Sequence, residues 1–192
     1  AVKNFCLHLL HNKAFLFGIV ALLSYEVSEI SINSFFINYV SDGGWMNPRD
    51  ASIALSFGGL GLFMMGRVVG SLLMQHVGTE RVLSICAVCT FLCTFVVMLN
   101  MGMFSLIALV LVYVFESIMF PTIFALSLRG LGSLTKRASS LLMMTPVGGA
   151  IGPLLMGMVA DASSMSVAFI VPLIGFANVL AYAFAQRKEH MA

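Results

Sequence analysis

Residues 24–39 read SYEVSEISINSFFINY and lie inside the first long apolar stretch of the chain. Most of that stretch is hydrocarbon, yet it carries Glu26, Glu29, Asn33 and Asn38. At 100° per residue, Glu26, Glu29 and Asn33 share one helical face, and Asn38 sits off to its side. A carboxylate at bilayer depth costs about 3 kcal/mol by insertion scales, so it faces a cavity or a partner and marks a pathway. Two acids followed by an amide form a polar stripe lining something. The rest of the chain must supply the other walls.

The whole composition agrees with a membrane setting. The 192 residues are 60% hydrophobic and 9% charged, with a mean hydropathy of +1.02, whereas soluble domains carry about 25% charged residues. The start, AVKNFCLHLLHNK (1–13), has a short apolar core and no small-residue cleavage site, so it does not read as a cleavable signal peptide. It also lacks an initiator Met, as a processed chain or a fragment does. The net charge of +2 gives no support for nucleic-acid binding.

A helix needs about 20 apolar residues to span a bilayer. Six segments qualify, near 14–40, 51–75, 81–100, 104–128, 138–160 and 165–186. Their connections are short and polar: SDGGWMNPRD, HVGTE, NMG, RGLGSLTKR and DASS. The expected organisation is a cytoplasmic segment 1–13, a six-helix domain 14–186 and a cytoplasmic tail 187–192. With the N-terminus inside, Lys3, Lys13, Arg81, Arg129, Lys136, Arg137, Arg187 and Lys188 all fall on the inner side. Arg49 falls outside with Asp42, Asp50 and Asp161. The positive-inside rule therefore puts both termini in the cytoplasm.

The sequence also repeats. GRVVGSLLMQHV (66–77) parallels GGAIGPLLMGMV (148–159), 82 residues on, with both glycines, Leu-Leu-Met and the valine in register. That shift carries helices one to three onto four to six with opposite topology. The fold expected is all-α: a six-helix membrane bundle of two inverted three-helix repeats, the architecture of secondary transporters.

Several side chains have a functional and a bland reading. Gly66 and Gly70, and Gly148 and Gly152, are GxxxG spacings that admit a close helix neighbour, either within the bundle or from a partner half. Arg67 lies about 12 Å inside its helix end. It either snorkels out, the favoured reading, or pairs with an acid or an exposed helix carbonyl as a gate or latch. Glu116 sits mid-helix in YVFESIMFPTIF (113–124), five residues before Pro121. Pro121 removes an N–H and frees a carbonyl, so a kink is expected beside the acid. Glu116 is then a cavity acid or a buried neutral one. Pro146, Gly148, Gly149, Gly152 and Pro153 interrupt the fifth helix, and such breaks at bilayer depth need protein or water around them. Tyr25, Phe35, Phe36, Phe120 and Phe124 stand near the polar positions and suit the apolar face of a sugar, although membrane helices are rich in Phe anyway. Cys86, Cys89 and Cys93 share a face, but no His accompanies them, so packed thiols are favoured over a metal or redox site. Cys6, His8 and His11 form a similarly weak cluster. No metal and no cofactor is expected.

These residues resemble a family. SIMFPTIFAL (117–126), RGLG (129–132), SSLL (139–142) and VGGAI (147–151) are similar to the carboxyl-terminal six helices of the fucose/glucose/galactose permease branch of the major facilitator superfamily. Met156-Gly, Ala160-Asp161, Ala168-Phe and Val171-Pro172 continue the likeness, as do Tyr25, Glu29 and residues 35–39 in the first helix. The resemblance implies a twelve-helix, proton-coupled sugar symporter working by alternating access, with its cavity between two six-helix halves. It implies an amino-terminal half, bearing the family's main proton-carrying acids, to which the second and fifth helices would turn. Glu29 and Asn38 match the family pattern. Glu26, Asn33 and Glu116 depart from it, standing where the family has no acid, glycine and asparagine. The residues expected to bind sugar are Glu29, Asn38, Asn33, Glu26 and Glu116, with Glu29, Glu26 and Glu116 as candidate proton carriers. The competing readings are a facilitator of another small molecule and a non-transporting membrane scaffold. An enzyme is disfavoured, because Glu26 and Glu29 have no nucleophile or metal ligand beside them.

Overall fold

The computed structural model describes residues 2–192; the side chains of residues 2, 3, 5 and 6 lie outside that description, and with them the Lys3 and Cys6 readings. A short helix α1 (Val2–His11) leads into six membrane-length helices. These are α2 (Lys13–Asp42), α3 (Pro48–His76), α4 (Thr79–Leu99), α5 (Met103–Ser127), α6 (Gly132–Ala162) and α7 (Met165–Met191). The described residues form no strand.

Local chemistry sets the ends. Asn12 caps α2 by accepting from the Phe15 N–H at 3.2 Å, and Asn47 caps α3 by accepting from Asp50 with Pro48 in the first turn. Asn100 closes α4 in the left-handed conformation, φ 52°. Within the helices, hydroxyls are satisfied by their own backbone four residues back: Ser31 on Val27, Thr90 on Cys86, Thr94 on Thr90 and Ser127 on Ile123. Such back-bonding satisfies these hydroxyl hydrogens where lipid could not.

The packing is symmetric under exchange of the repeats. α2 packs on α7 and α5 on α4; α3 packs on α5 and α6 on α2; α2 meets α5, and α4 meets α7. Swapping α2, α3 and α4 for α5, α6 and α7 maps this set of contacts onto itself, as a two-fold relating inverted repeats requires. α2 and α5 are the central pair. α3 and α6 bury least of themselves, 17% and 28% against 39–50% for the others, and expose Met64, Val68 and Leu72, and Val147, Leu154 and Met158.

The glycine stripes pack inward. A Cβ on Gly66 would stand 2.6 Å from both the Val114 carbonyl oxygen and Ser117 Oγ, and one on Gly70 would overlap Ile118. Likewise Gly152 lies directly on Val27 and Ser31 of α2. Of the two readings of GxxxG, contact within the bundle is what the chain adopts, and these faces are not free for a partner half. The outward sides of α3 and α6 are the ones left open.

At the end carrying both termini, Arg129 Nη1 donates to Glu80 Oε1, and His190 Nδ1 stands 3.9 Å from the same oxygen. Glu80 is 4% exposed. This joins the start of α4 to the ends of α5 and α7. Arg129→Ala leaves a buried carboxylate unpaired and is expected to lower unfolding stability by about 1–3 kcal/mol, with Arg129→Lys losing less. Denaturation in mixed micelles measures it, and an unshifted midpoint would reduce the pair to a surface contact.

Candidate functional site

α2 presents Glu26, Glu29 and Asn33 to the side between α5 and α6. Tyr25 precedes them and is fully buried against α5. From α5 come Tyr113 and Glu116, one turn apart and both fully buried. Glu29 and Glu116 interact electrostatically across the α2–α5 contact, and Glu26 acts on Glu116 as well. Tyr113 feels both Glu116 and Glu29. The Tyr25 hydroxyl is a neighbour of the Glu29 carboxylate without a completed hydrogen bond. Both Glu116 oxygens, the hydroxyls of Tyr25 and Tyr113 and Asn33 Oδ1 have no hydrogen-bond partner among the described residues. Since buried polar groups are normally paired, this concentration of unpaired ones sets the cluster apart from the rest of the bundle.

Aromatic rings close the other side. The Phe120 ring centroid is 6.4 Å from Tyr25 and 6.0 Å from Phe124, with which it stacks. Phe36 meets Tyr113 edge-on at 5.9 Å. Phe35 is turned elsewhere, against Gly157 of α6.

The two proline-bearing helices flank the cluster. α5 is interrupted between Glu116 and Met119, one turn before Pro121. α6 is interrupted after Leu142 and again at Ala150. Pro146 frees the Leu142 carbonyl, which the neighbouring Thr145 hydroxyl takes at 2.7 Å. Gly149 brings the α6 backbone onto the acid: a Cβ there would be 3.1 Å from Glu26 Cβ. Gly148 rests on the Leu23 side chain, and Pro153 follows Gly152 at the point where α6 lies on α2.

Arg67 differs from the favoured expectation. It does not snorkel towards the helix end. Side chains on a helix tilt towards its N-terminus, and Arg67 follows that direction: its Cζ lies 5.0 Å from the Phe63 ring centroid and its Nε donates to the Ser117 carbonyl at 3.1 Å. Asn38 is also separated from the others. It is exposed near the far end of α2, about a third of a turn from Glu26 and about half a turn from Glu29 by helical spacing.

Four residues, two at this cluster and two at the end carrying the termini, were not singled out as functional from the sequence. Tyr113 stands three residues before Glu116, so helical spacing from that acid points to it. Ser117 is the residue four before Pro121, whose carbonyl the proline frees. Glu80 and Arg129 carried no local signal, since their pairing is set by how α4, α5 and α7 converge. Among the described residues no group of His, Cys, Asp and Glu has the arrangement of a metal site.

No family model matches the chain. It is 34% identical over 176 residues to the glucose/galactose transporter of Brucella abortus, covering 90% of this chain and 42% of that protein. It is 32% identical over 168 residues to the L-fucose-proton symporter of Escherichia coli, covering 86% and 38%. Among solved structures, a crystal structure of the Escherichia coli fucose:proton symporter FucP superposes with a TM-score of 0.92 at 28% identity, over 97% of this chain and 46% of that one. The outward conformation of the major facilitator superfamily transporter FucP gives 0.86 at 30% identity, over 91% and 42%. The chain thus spans less than half the length of the relatives it matches. Six membrane-length helices in two inverted repeats around an unpaired polar cluster define a half-unit of a secondary transporter. The chain has the major facilitator superfamily fold and is similar over most of its own length to these fucose and glucose/galactose transporters.

Proposed function

We propose that the chain is the carboxyl-terminal six-helix half of a monosaccharide–proton symporter, with both termini in the cytoplasm. The observation that carries this reading is the cluster of Glu26, Glu29, Asn33, Tyr25, Tyr113 and Glu116 on the first helix of each repeat, α2 and α5. Both Glu116 oxygens, the Tyr25 and Tyr113 hydroxyls and Asn33 Oδ1 lack a hydrogen-bond partner among the described residues, and stacked rings border them. Carboxylate and amide groups bond sugar hydroxyls, and such a site rejects analogues that lack one, because its own polar groups are then left unpaired. Rings cover the apolar face of the pyranose. Glu29, Glu26 and Glu116 are the groups that take up and release the coupling proton. A second six-helix half supplies the facing wall and covers the open sides of α3 and α6. Alternating access is then rocking of the halves about the site.

Reconstitution of the complete protein in liposomes tests this with a sugar panel and an imposed pH step. Accumulation of a fucose-, glucose- or galactose-like sugar, driven by an inward proton gradient, is the expected result. One pH unit supports about tenfold accumulation at one proton per sugar. Sugar-independent movement of a lipophilic cation would replace this reading with a facilitator of other cargo.

A further inference from the structure

Pro121 has no N–H, so the Ser117 carbonyl lacks the donor that an unbroken helix provides four residues on. Arg67, from another helix, fills that vacancy at 3.1 Å. The comparable carbonyl in α6 is handled locally, by a neutral hydroxyl one turn away on the same strand of helix. The solution in α5 is different in kind: it is charged, it crosses between helices, and it lies within electrostatic reach of Glu29. The groups facing Glu29 are Tyr25 and Glu26 on α2, Tyr113 and Glu116 on α5, and Arg67 on α3. The central parts of α6 and α7, residues 138–160 and 165–186, contain no Asp, Glu, His, Lys or Arg. Arg67 is therefore the cation of this neighbourhood among the described residues.

The guanidinium has two claimants. A pair with an ionised carboxylate is about twice as strong as a hydrogen bond to a neutral carbonyl, so an ionised Glu29 wins it and a protonated Glu29 does not. Gly66, next to Arg67, sets α3 directly on Val114 and Ser117, and Gly70 on Ile118. At Gly66 the α3 backbone meets the break directly, so a change in the α5 bend is transmitted to the residue beside Arg67.

We propose that Arg67 is a positioning residue that couples the protonation of Glu29 to the break in α5. With the acid protonated, the guanidinium caps Ser117 and holds the bend. With the acid ionised, it moves to the carboxylate and the break is released. This deepens the symporter reading, on which it rests for the purpose of the proton but not for its own test.

Spin labels at Phe104→Cys and Ala125→Cys, both exposed positions on either side of the break, report the bend as an interspin distance of about 30 Å. Cys6, Cys86, Cys89 and Cys93 are replaced by Ser, and the complete protein is measured in sugar-free liposomes at about pH 5 and about pH 8. The distance distribution is expected to be narrow at low pH and to widen at high pH. Glu29→Gln keeps it narrow at both, and Arg67→Gln makes it wide at both. Adding Pro121→Ala to Arg67→Gln returns the missing N–H and narrows it again, a rescue that a merely structural arginine would not show. Arg67→Lys, which keeps the charge, retains a pH response. A response that persists in Arg67→Gln, or a double variant as wide as Arg67→Gln alone, overturns the proposal. Failure of the protein to move any sugar would sink the symporter reading while leaving this result intact. A pH-invariant distribution in a sugar-transporting protein would sink the latch alone.

Discussion

Glu29→Gln in the complete protein is expected to weaken sugar binding by roughly 10- to 100-fold, the loss of one charge-assisted hydrogen bond of about 1.5–3 kcal/mol. The substitution keeps the shape of the side chain and removes only its charge and its proton exchange. Folding should survive it, because the amide keeps the size and shape of the acid it replaces. The binding constant should also lose part of its pH dependence, since the acid nearest to Glu116 and Tyr25 no longer titrates. Asn38→Ala is the matched control: it removes a polar residue of the same helix that stands exposed and away from the acids. Its effect on binding should stay within about twofold, the scatter of surface substitutions. Calorimetry on the purified protein at two pH values reads both quantities. Unchanged affinity and unchanged pH dependence in Glu29→Gln would remove the stripe from the mechanism.

The contrast between Glu29 and Asn38 shows what helical periodicity carries and what it does not. Angle alone separates Asn38 from Glu26, Glu29 and Asn33, because side-chain direction on one helix is fixed by its geometry. The membrane class and the helix count follow from apolar length in the same local way, and the repeat follows from glycine spacing. Long-range pairing is another matter. Nothing in residues 76–80 announces that Glu80 meets Arg129, since that contact depends on three helix ends converging. For Arg67 the sequence offers both outcomes, snorkelling and pairing with an exposed helix carbonyl, without deciding between them. Snorkelling is the default for an isolated helix, and only the position of the α5 break beside it makes a carbonyl available. The glycines mark an intermediate case. Their spacing announces a close neighbour, but the identity of that neighbour, α5 for Gly66 and α2 for Gly152, is a property of the assembled bundle.

Those glycines carry the second large effect. Gly152→Ala is expected to destabilise the bundle by about 3 kcal/mol, at the upper end for overpacking. A Cβ at 152 would overlap the Val27 carbonyl oxygen, a backbone atom of the central helix that has no rotamer in which to retreat. Separating α2 from α6 then forfeits the van der Waals contact that holds membrane helices together, where no hydrophobic force from water compensates. Two nearby glycines calibrate the claim. At Gly148 the Cβ would meet the tip of the Leu23 side chain, which can rotate away, so Gly148→Ala should cost about 1 kcal/mol or less. At Gly157 it would sit 3.5 Å from Phe35, an ordinary contact, so Gly157→Ala should be close to neutral. The repeat extends the series to α3, where Gly66→Ala would place its Cβ 2.6 Å from the Val114 carbonyl oxygen and should rank with Gly152→Ala. Unfolding midpoints in mixed micelles give the order directly. Equal effects at 148, 152 and 157 would mean that helix propensity rather than close approach governs these sites, and the glycine contacts would then not be what fixes α3 and α6 against the central pair.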